Sequence, residues 1–210
     1  MGVQRGKEET ARLTARGRVT RTRIVETAAE LMRVKGVNAT TLDEVRAASG
    51  TSKSQLYRHF PDRDALVHEV VEFQASKRLD DQRRLLRRLD SIRGLERWRD
   101  AIVGHTALHG GAYGCPMGSL ANELADHDDD ARSALAEFFE DWEELLHSGL
   151  ERMRHNGELR PDADPRALAT ALMAAVQGGY VLARTTRDAS PMRTALNMAI
   201  AHVRTFTPKV

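Results

Sequence analysis

The stretch Thr40–Phe60, TTLDEVRAASGTSKSQLYRHF, constrains this chain more than any other. It reads as two short helices around a tight turn. Thr40 or Thr41 is a good N-cap, because a threonine hydroxyl accepts a hydrogen bond from a free N–H of the first turn. Glu44 follows Thr41 by three residues, the spacing of a capping box. Asp43 and Glu44 also place negative charge at the positive end of the helix dipole. Leu42, Val45, Arg46 and Ser49 fall at helical spacing, and the apolar members, with Ala48, predict an inward face. Gly50 can take the left-handed conformation that ends a helix. Thr51 or Ser52 can cap a second helix to about His59, and Pro61 stops it.

The second helix divides into two faces. Leu56 and Phe60, four apart, point inward. Ser52, Lys53, Ser54, Gln55, Tyr57, Arg58 and His59 are mostly left outside. In a major groove glutamine pairs with adenine and lysine or arginine with guanine. Tyrosine, histidine and threonine bind phosphate, which brings Thr40 and Thr41 into the same set. A solvated amphipathic hairpin would show the same periodicity. The neighbours favour a nucleic-acid module. A helix with Ile24, Thr27, Ala28, Leu31 and Met32 at the 3.6-residue period precedes the hairpin and ends at Gly36. Another follows from about Asp62, with Leu66, Val67, Val70 and Val71 inward. Three helices on a small core, then a connecting helix, are expected.

Residues 20–68 resemble the N-terminal domain of the TetR family of bacterial repressors, most closely across VKGVNATTLDEVRAASGTSKSQLYRHFPDRDAL. The glycine loop, paired threonine, alanine–glycine turn, Tyr-x-His-Phe and following charged residue and leucine occur in the family's order. Val45 and Arg46 stand where the family often has isoleucine then alanine, which makes Arg46 an extra surface contact. Arg63 stands where a lysine is common, and the resemblance implies a phosphate contact there.

Charge distribution agrees. Residues 1–60 hold 12 Lys+Arg and 6 Asp+Glu, a net of +6; the whole chain is +2, which leaves −4 for residues 61–210. A basic end and an acidic remainder fit an electrostatic footprint for DNA in one domain. Arg5, Lys7, Arg12, Arg16, Arg18, Arg21 and Arg23 extend it. Residues 1–18 lack apolar periodicity and are expected to form a mobile basic arm, able to follow phosphates or enter a minor groove or simply to solubilise. No apolar run is long enough for a membrane span, the start lacks a secretory apolar core, and one cysteine excludes an internal disulfide. A cytoplasmic protein without a cofactor is expected.

The remainder reads as nearly all helix. The fourth helix continues to about Arg88, and a break near Ser91 to Gly94 precedes a helix with Leu95, Trp98, Ile102 and His105. HGGAYGCP, residues 109–116, is a glycine-rich interruption and not a phosphate cradle, since no Gly-Lys-Ser or Gly-Lys-Thr follows. Pro116 suits the first turn of a short helix to about Ala125. After the acidic HDDD, a long helix carries Leu135, Phe138, Phe139, Trp142, Leu145, Leu146, Leu150 and Met153, and Gly157 closes it. Two final helices, from Pro165 and from Ser190-Pro191, are rich in small residues, and Gly178-Gly179 admits a close neighbour. The expected fold is therefore all-α: an N-terminal three-helix helix-turn-helix domain over 19–65, and a helical ligand-binding and dimerisation domain over 66–210.

GCPMGSLANELAD, residues 114–126, and ELRPDADPRALATALMAAVQGGYVLART, to about 187, resemble the regulatory domains of the family's LmrA/YxaF-like group. That resemblance implies an effector pocket for a small apolar or aromatic molecule, and a homodimer through the last two long helices. Periodicity alone permits an internal hairpin. Linking two copies has its own motive, because two half-sites are read together. Pocket candidates are the aromatic, soft or amide groups on interior stripes or near helix breaks: Trp98, His105, Tyr113, Cys115, Met117, Asn122, Phe138, Trp142, Gln177 and Tyr180. Residues of these types are more often core than pocket, and Gln177 is the sharpest candidate, as an amide in an apolar helix needs a partner. The function expected is a non-enzymatic repressor released from double-stranded operator DNA by that effector. A ligand-dependent activator is the alternative. So is a metal sensor using His105, His109, Cys115 and His127, although no third ligand recurs at a fixed spacing.

Overall fold

The computed structural model describes residues 14–208. Among the described residues there are nine α-helices and no strand: α1 Ala15–Lys35, α2 Leu42–Ser49, α3 Lys53–His59, α4 Arg63–Leu86, α5 Ile92–Leu108, α6 Pro116–Leu124, α7 Asp129–His155, α8 Pro165–Thr186 and α9 Ser190–Arg204. The chain divides into two compact units, one through Gln74 and one from Ala75. The division falls inside α4, past the junction near residue 65 expected from periodicity. The first two turns of α4 bury Leu66, Val67, Val70 and Val71, which places them with the N-terminal core.

In the first unit Thr14 caps α1, accepting from Gly17 N at 3.2 Å. Helix therefore starts at Ala15, and Arg16 and Arg18 belong to α1 rather than to an arm. Arg5, Lys7 and Arg12 lie outside the described residues. Ile24, Ala28 and Met32 of α1 enclose the core with Val45, Leu56 and Phe60. The Arg21 guanidinium lies 4.9 Å above the Phe60 ring and pairs with Glu69. Ala48, expected inward, is exposed, and the buried positions of α2 are Val45 and Ser49. Ser49 Oγ and Thr51 Oγ1 are hydrogen-bonded at 2.9 Å, so two hydroxyls are satisfied inside the turn.

In the second unit α7, α8 and α9 pack in succession, with α5 against α9 and α6 against α7. Trp98, Phe138, Trp142, Leu146, Leu172 and Leu196 are among its buried residues. Arg152 donates from Nε to Leu89 O at 3.1 Å and from Nη2 to Leu86 O at 3.2 Å. These bonds tie α7 to carbonyls at and just past the end of α4, where Leu86 O also accepts from Leu89 N at 3.0 Å. Gly94, expected in a break, lies inside α5, because Ser91 caps that helix through Gly94 N at 3.3 Å. Of the Gly178-Gly179 pair, Gly179 makes the close approach: a Cβ there would sit 2.6 Å from Met192 Sδ and 3.0 Å from its Cα, whereas Gly178 faces open space. One face of α8 and α9 stays uncovered, with Val181 55%, Leu182 52% and Met198 70% exposed.

Two carboxylates set an acid dependence of stability. Lys35 Nζ lies 2.6 Å from Glu44 Oε1, and that contact, with the Thr41 N–H and hydroxyl, lowers the Glu44 pKa from 4.5 to about 2. His147, then Arg166, lower Glu144 from 4.5 to about 2 in the other unit. A folded pKa below the unfolded one stabilises above the unfolded value and is lost on acidification. The urea midpoint is therefore expected to fall as pH drops from 4.5 towards 2. Glu44→Gln keeps the capping geometry, removes the charge and should flatten part of that fall. Identical pH profiles for the parent and Glu44→Gln proteins would reject this assignment.

Candidate DNA-reading face and ligand pocket

The helical hairpin is held by two reciprocal caps. Glu44 N donates to Thr41 Oγ1 at 3.2 Å and Thr41 N donates to Glu44 Oε2 at 3.0 Å. Gln55 N donates to Ser52 Oγ at 3.1 Å and Ser52 N donates to Gln55 Oε1 at 2.9 Å. The second box was legible as Ser-x-x-Gln, the same spacing as Thr-x-x-Glu. Between them Gly50 adopts φ 63°, ψ 33°, the left-handed region that favours glycine.

These contacts sort the expected DNA-facing residues. Lys53, Ser54, Tyr57 and Arg58 are exposed on α3, and Lys53 Nζ lies 5.9 Å from the Tyr57 ring centroid. Ser52 and Gln55 are at the same surface, but the Ser52 hydroxyl and the Gln55 carbonyl oxygen accept the capping bonds. Gln55 thus presents its Nε2 donors and not a free amide pair. Thr41 is exposed as the α2 cap, and Arg46 is half-exposed with Nε donating to Asp43 Oδ1 at 3.3 Å.

Three of the residues expected to contact DNA have structural roles of their own. Thr40 is 2% exposed, and its hydroxyl donates to Gly36 O at 2.8 Å, bracing the loop before α2. His59 is 8% exposed, turned inward beside Phe60 at the end of α3. Arg63 is partly exposed and donates to Val37 O at 2.5 Å and Thr40 O at 3.3 Å. Its fork ties the start of α4 to the loop before α2, so the guanidinium acts first as a structural brace.

In the second unit a half-enclosed cavity of about 330 Å³ lies between α6, α7 and α8. Cys115, Asn122, Gln177 and Tyr180 line it, as expected from sequence. The other six candidates do not. Trp98 is core, its Nε1 donating to Gln82 Oε1 at 3.0 Å. Met117, Phe138 and Trp142 are core, and Phe138 and Trp142 meet edge to face with centroids 5.9 Å apart. His105 and Tyr113 belong to an exposed aromatic row with His109, where the two histidine rings are 4.7 Å apart. Burial and the neighbouring Arg78 lower the His105 pKa. Among the described residues no three His, Cys, Asp or Glu side chains gather as a metal site.

Sequence reasoning missed Ser119, Phe139 and Arg184, which also line the cavity. Arg184 follows Gln177 by seven residues and Tyr180 by four, one face of α8 at helical spacing. Arg184 Nη1 donates to Ser119 Oγ at 3.1 Å, joining α8 to α6. Gly118 lets the two helices close: a Cβ there would lie 3.0 Å from Gln177 Oε1. Gln177 Nε2 is buried without a hydrogen-bond partner, and the Cys115 thiol beside that amide is at most a weak acceptor. Burial pushes the Cys115 pKa up, so the thiol stays protonated. Burial, then Cys115, pushes Tyr180 up to about 12, which keeps its hydroxyl a donor.

Family models match both halves of the chain. The family model for bacterial regulatory proteins of the tetR family matches residues 24–70, the helical hairpin and its supporting helices. The model for the tetracyclin repressor-like C-terminal domain matches residues 86–199, more than half of the chain. The chain belongs to the TetR family. Among its relatives, the HTH-type transcriptional repressor DhaR of Mycobacterium sp. (strain GP1) is 26% identical over 82% of this chain and 86% of DhaR. The HTH-type transcriptional regulator YxaF of Bacillus subtilis is 26% identical over 86% of this chain and 92% of YxaF. The crystal structure of regulatory protein TetR from Rhodobacter sphaeroides superposes with a TM-score of 0.75 at 25% identity, covering 86% of this chain and 97% of that one. The TetR fold accounts for the all-α architecture, and α2 and α3 are its helix-turn-helix. This is a DNA-binding transcriptional regulator.

Proposed function

We propose that this TetR-family regulator is a homodimeric repressor, released from its operator by a small molecule held in the α6–α7–α8 cavity. Lys53, Ser54, Tyr57 and Arg58 are its groove-facing residues, with Thr41 and Arg46 beside them. The observation that carries the reading is the pairing of roles along one chain. One unit presents an α3 with exposed polar side chains and a reciprocal N-terminal cap, and the other holds a cavity with an unsatisfied buried amide. The repressor DhaR, similar over most of its length, supports the direction of control. A regulator acting on chromosomal DNA works in the cytoplasm.

The uncovered apolar face of α8 and α9 supports the dimer. Val181, Leu182 and Met198 expose there a patch that water disfavours and a second copy would cover. Effector binding would act through α4, the one helix that supplies both units. Only a difference in effector affinity between the DNA-fitting and non-fitting states can drive release.

The test is fluorescence anisotropy with duplexes tiling the DNA around the regulator's own gene. A dimer in sedimentation, a salt-sensitive isotherm on one inverted repeat, and loss of that binding on adding effector are expected. An effector that tightens the complex would make the protein co-repressor-dependent. A monomer that binds no repeat would reject the reading.

A further inference from the structure

The chemistry of the cavity wall specifies its occupant further, and this step rests on the effector-release reading above. Its wall carries Ser119 and Asn122 and, beside them, donors with spare capacity on Gln177, Tyr180 and Arg184. Gln177 Nε2 is buried and unpartnered. Tyr180 is 6% exposed, lines the cavity and makes no hydrogen bond among the described residues. Among the described residues, Arg184 reaches only Ser119 by hydrogen bond, and no Asp or Glu lines the cavity. Arg78 of α4 adds positive potential at Cys115 and Tyr180. Among the described residues, neither Arg78 nor Arg184 has a carboxylate partner. Many other arginines here do, among them Arg33, Arg83, Arg132, Arg154 and Arg166.

A buried donor without an acceptor is costly unless a ligand or water completes it. Three donors on one cavity wall, two of them on neutral groups and one cationic, suit an acceptor-only group that carries negative charge. A carboxylate has two oxygens and about four lone-pair sites, and accepts from guanidinium in a fork. Phosphate fits less well, because Phe139, Val181 and Ala121 add apolar surface to the wall and would help desolvate a dianion. The same apolar residues suit a short hydrocarbon or aromatic body.

We infer that the effector is a small monocarboxylate on a short apolar body, its oxygens received by Gln177 Nε2, the Tyr180 hydroxyl and the Arg184 guanidinium. The Cys115 thiol contributes bulk and not acceptor strength. The cavity thus selects first for charge and second for an apolar tail.

Isothermal titration of the full chain with butyrate, benzoate and trans-cinnamate, each beside its alcohol analogue, tests this. At least one acid should bind at least about tenfold tighter than its alcohol, the scale of a charge-assisted contact over a neutral one. Arg184→Met and Gln177→Leu should each erase that preference. Arg184→Lys should retain part of it, which separates lost charge from lost folding, and inorganic phosphate should not compete. Equal binding of acid and alcohol, no binding by any acid, or a preference that survives both variants would overturn the inference. Operator release is scored separately. An acid that binds with this preference but leaves the operator complex intact would refute the switch and keep the ligand class. A neutral compound that releases DNA while no acid binds would do the reverse.

Discussion

The Lys53→Ala/Tyr57→Ala protein is expected to bind its operator at least about a hundredfold more weakly than the parent, at unchanged thermal stability. Base or phosphate contacts are each worth about 1–3 kcal/mol, and a dimer presents every contact twice. Both side chains are exposed on α3, and their only mutual contact is an ammonium 5.9 Å from a ring centroid. Neither belongs to the core or to a cap, so truncation should move stability by no more than about 0.5 kcal/mol. Ser52→Ala and Gln55→Ala are different. Each removes half of the α3 capping box, which costs about 1 kcal/mol, so their binding defects combine a lost contact with a looser helix. Anisotropy titration with thermal denaturation separates the two classes. Operator affinity within a few-fold of the parent for the double variant would show that α3 does not face DNA.

Gly111→Ala should destabilise the regulatory unit by about 2–5 kcal/mol. Gly111 has φ +72°, a left-handed conformation in which an L side chain costs roughly 1–2 kcal/mol. Its missing Cβ would also lie 2.5 Å from Ala183 O and 2.8 Å from Asp188 N, both backbone atoms at the end of α8. Relieving that overlap must lift the loop from α8, a displacement of the kind that costs a further 1–3 kcal/mol or so. Gly110 is the control. It has φ +55° and nothing within 4 Å of its built Cβ, so Gly110→Ala should show the conformational cost alone. The same loop continues into Gly114 and Cys115, which line the cavity, so Gly111→Ala should weaken effector binding as well. Equal destabilisation of the two variants in urea would show that the loop does not dock on α8.

Much of the helical plan was legible because its signals are local. Thr41 with Glu44, Asp128 before α7, and Asp164-Pro165 before α8 are caps readable within four residues, and all three begin helices. Gly50 marks a left-handed stop by chemistry that belongs to one residue. The pocket was only partly legible. Cys115, Asn122, Gln177 and Tyr180 came from residue type and position, and the cavity gathers them. Phe138 and its neighbour Phe139 sit on the same stripe of α7. Which of them reaches the cavity depends on the rotation of α7 against α6 and α8, and Phe139 is the one that does.

Polar residues were the harder case, since one side chain can cap, brace or contact with the same atoms. By residue type Thr40 and Arg63 suit phosphate, yet in the fold their donors reach the Gly36, Val37 and Thr40 carbonyls. By itself the sequence determined the helices, their caps, the left-handed turn at Gly50 and the family, because each rests on spacings within one helix or on a continuous motif. Only the tertiary structure decided which hydroxyls, amides and guanidinium groups are already satisfied. A hydrogen bond from Arg63 to Val37, or from Arg184 to Ser119, joins residues 26 and 65 positions apart. No local pattern encodes such a meeting; it exists only once the helices have packed.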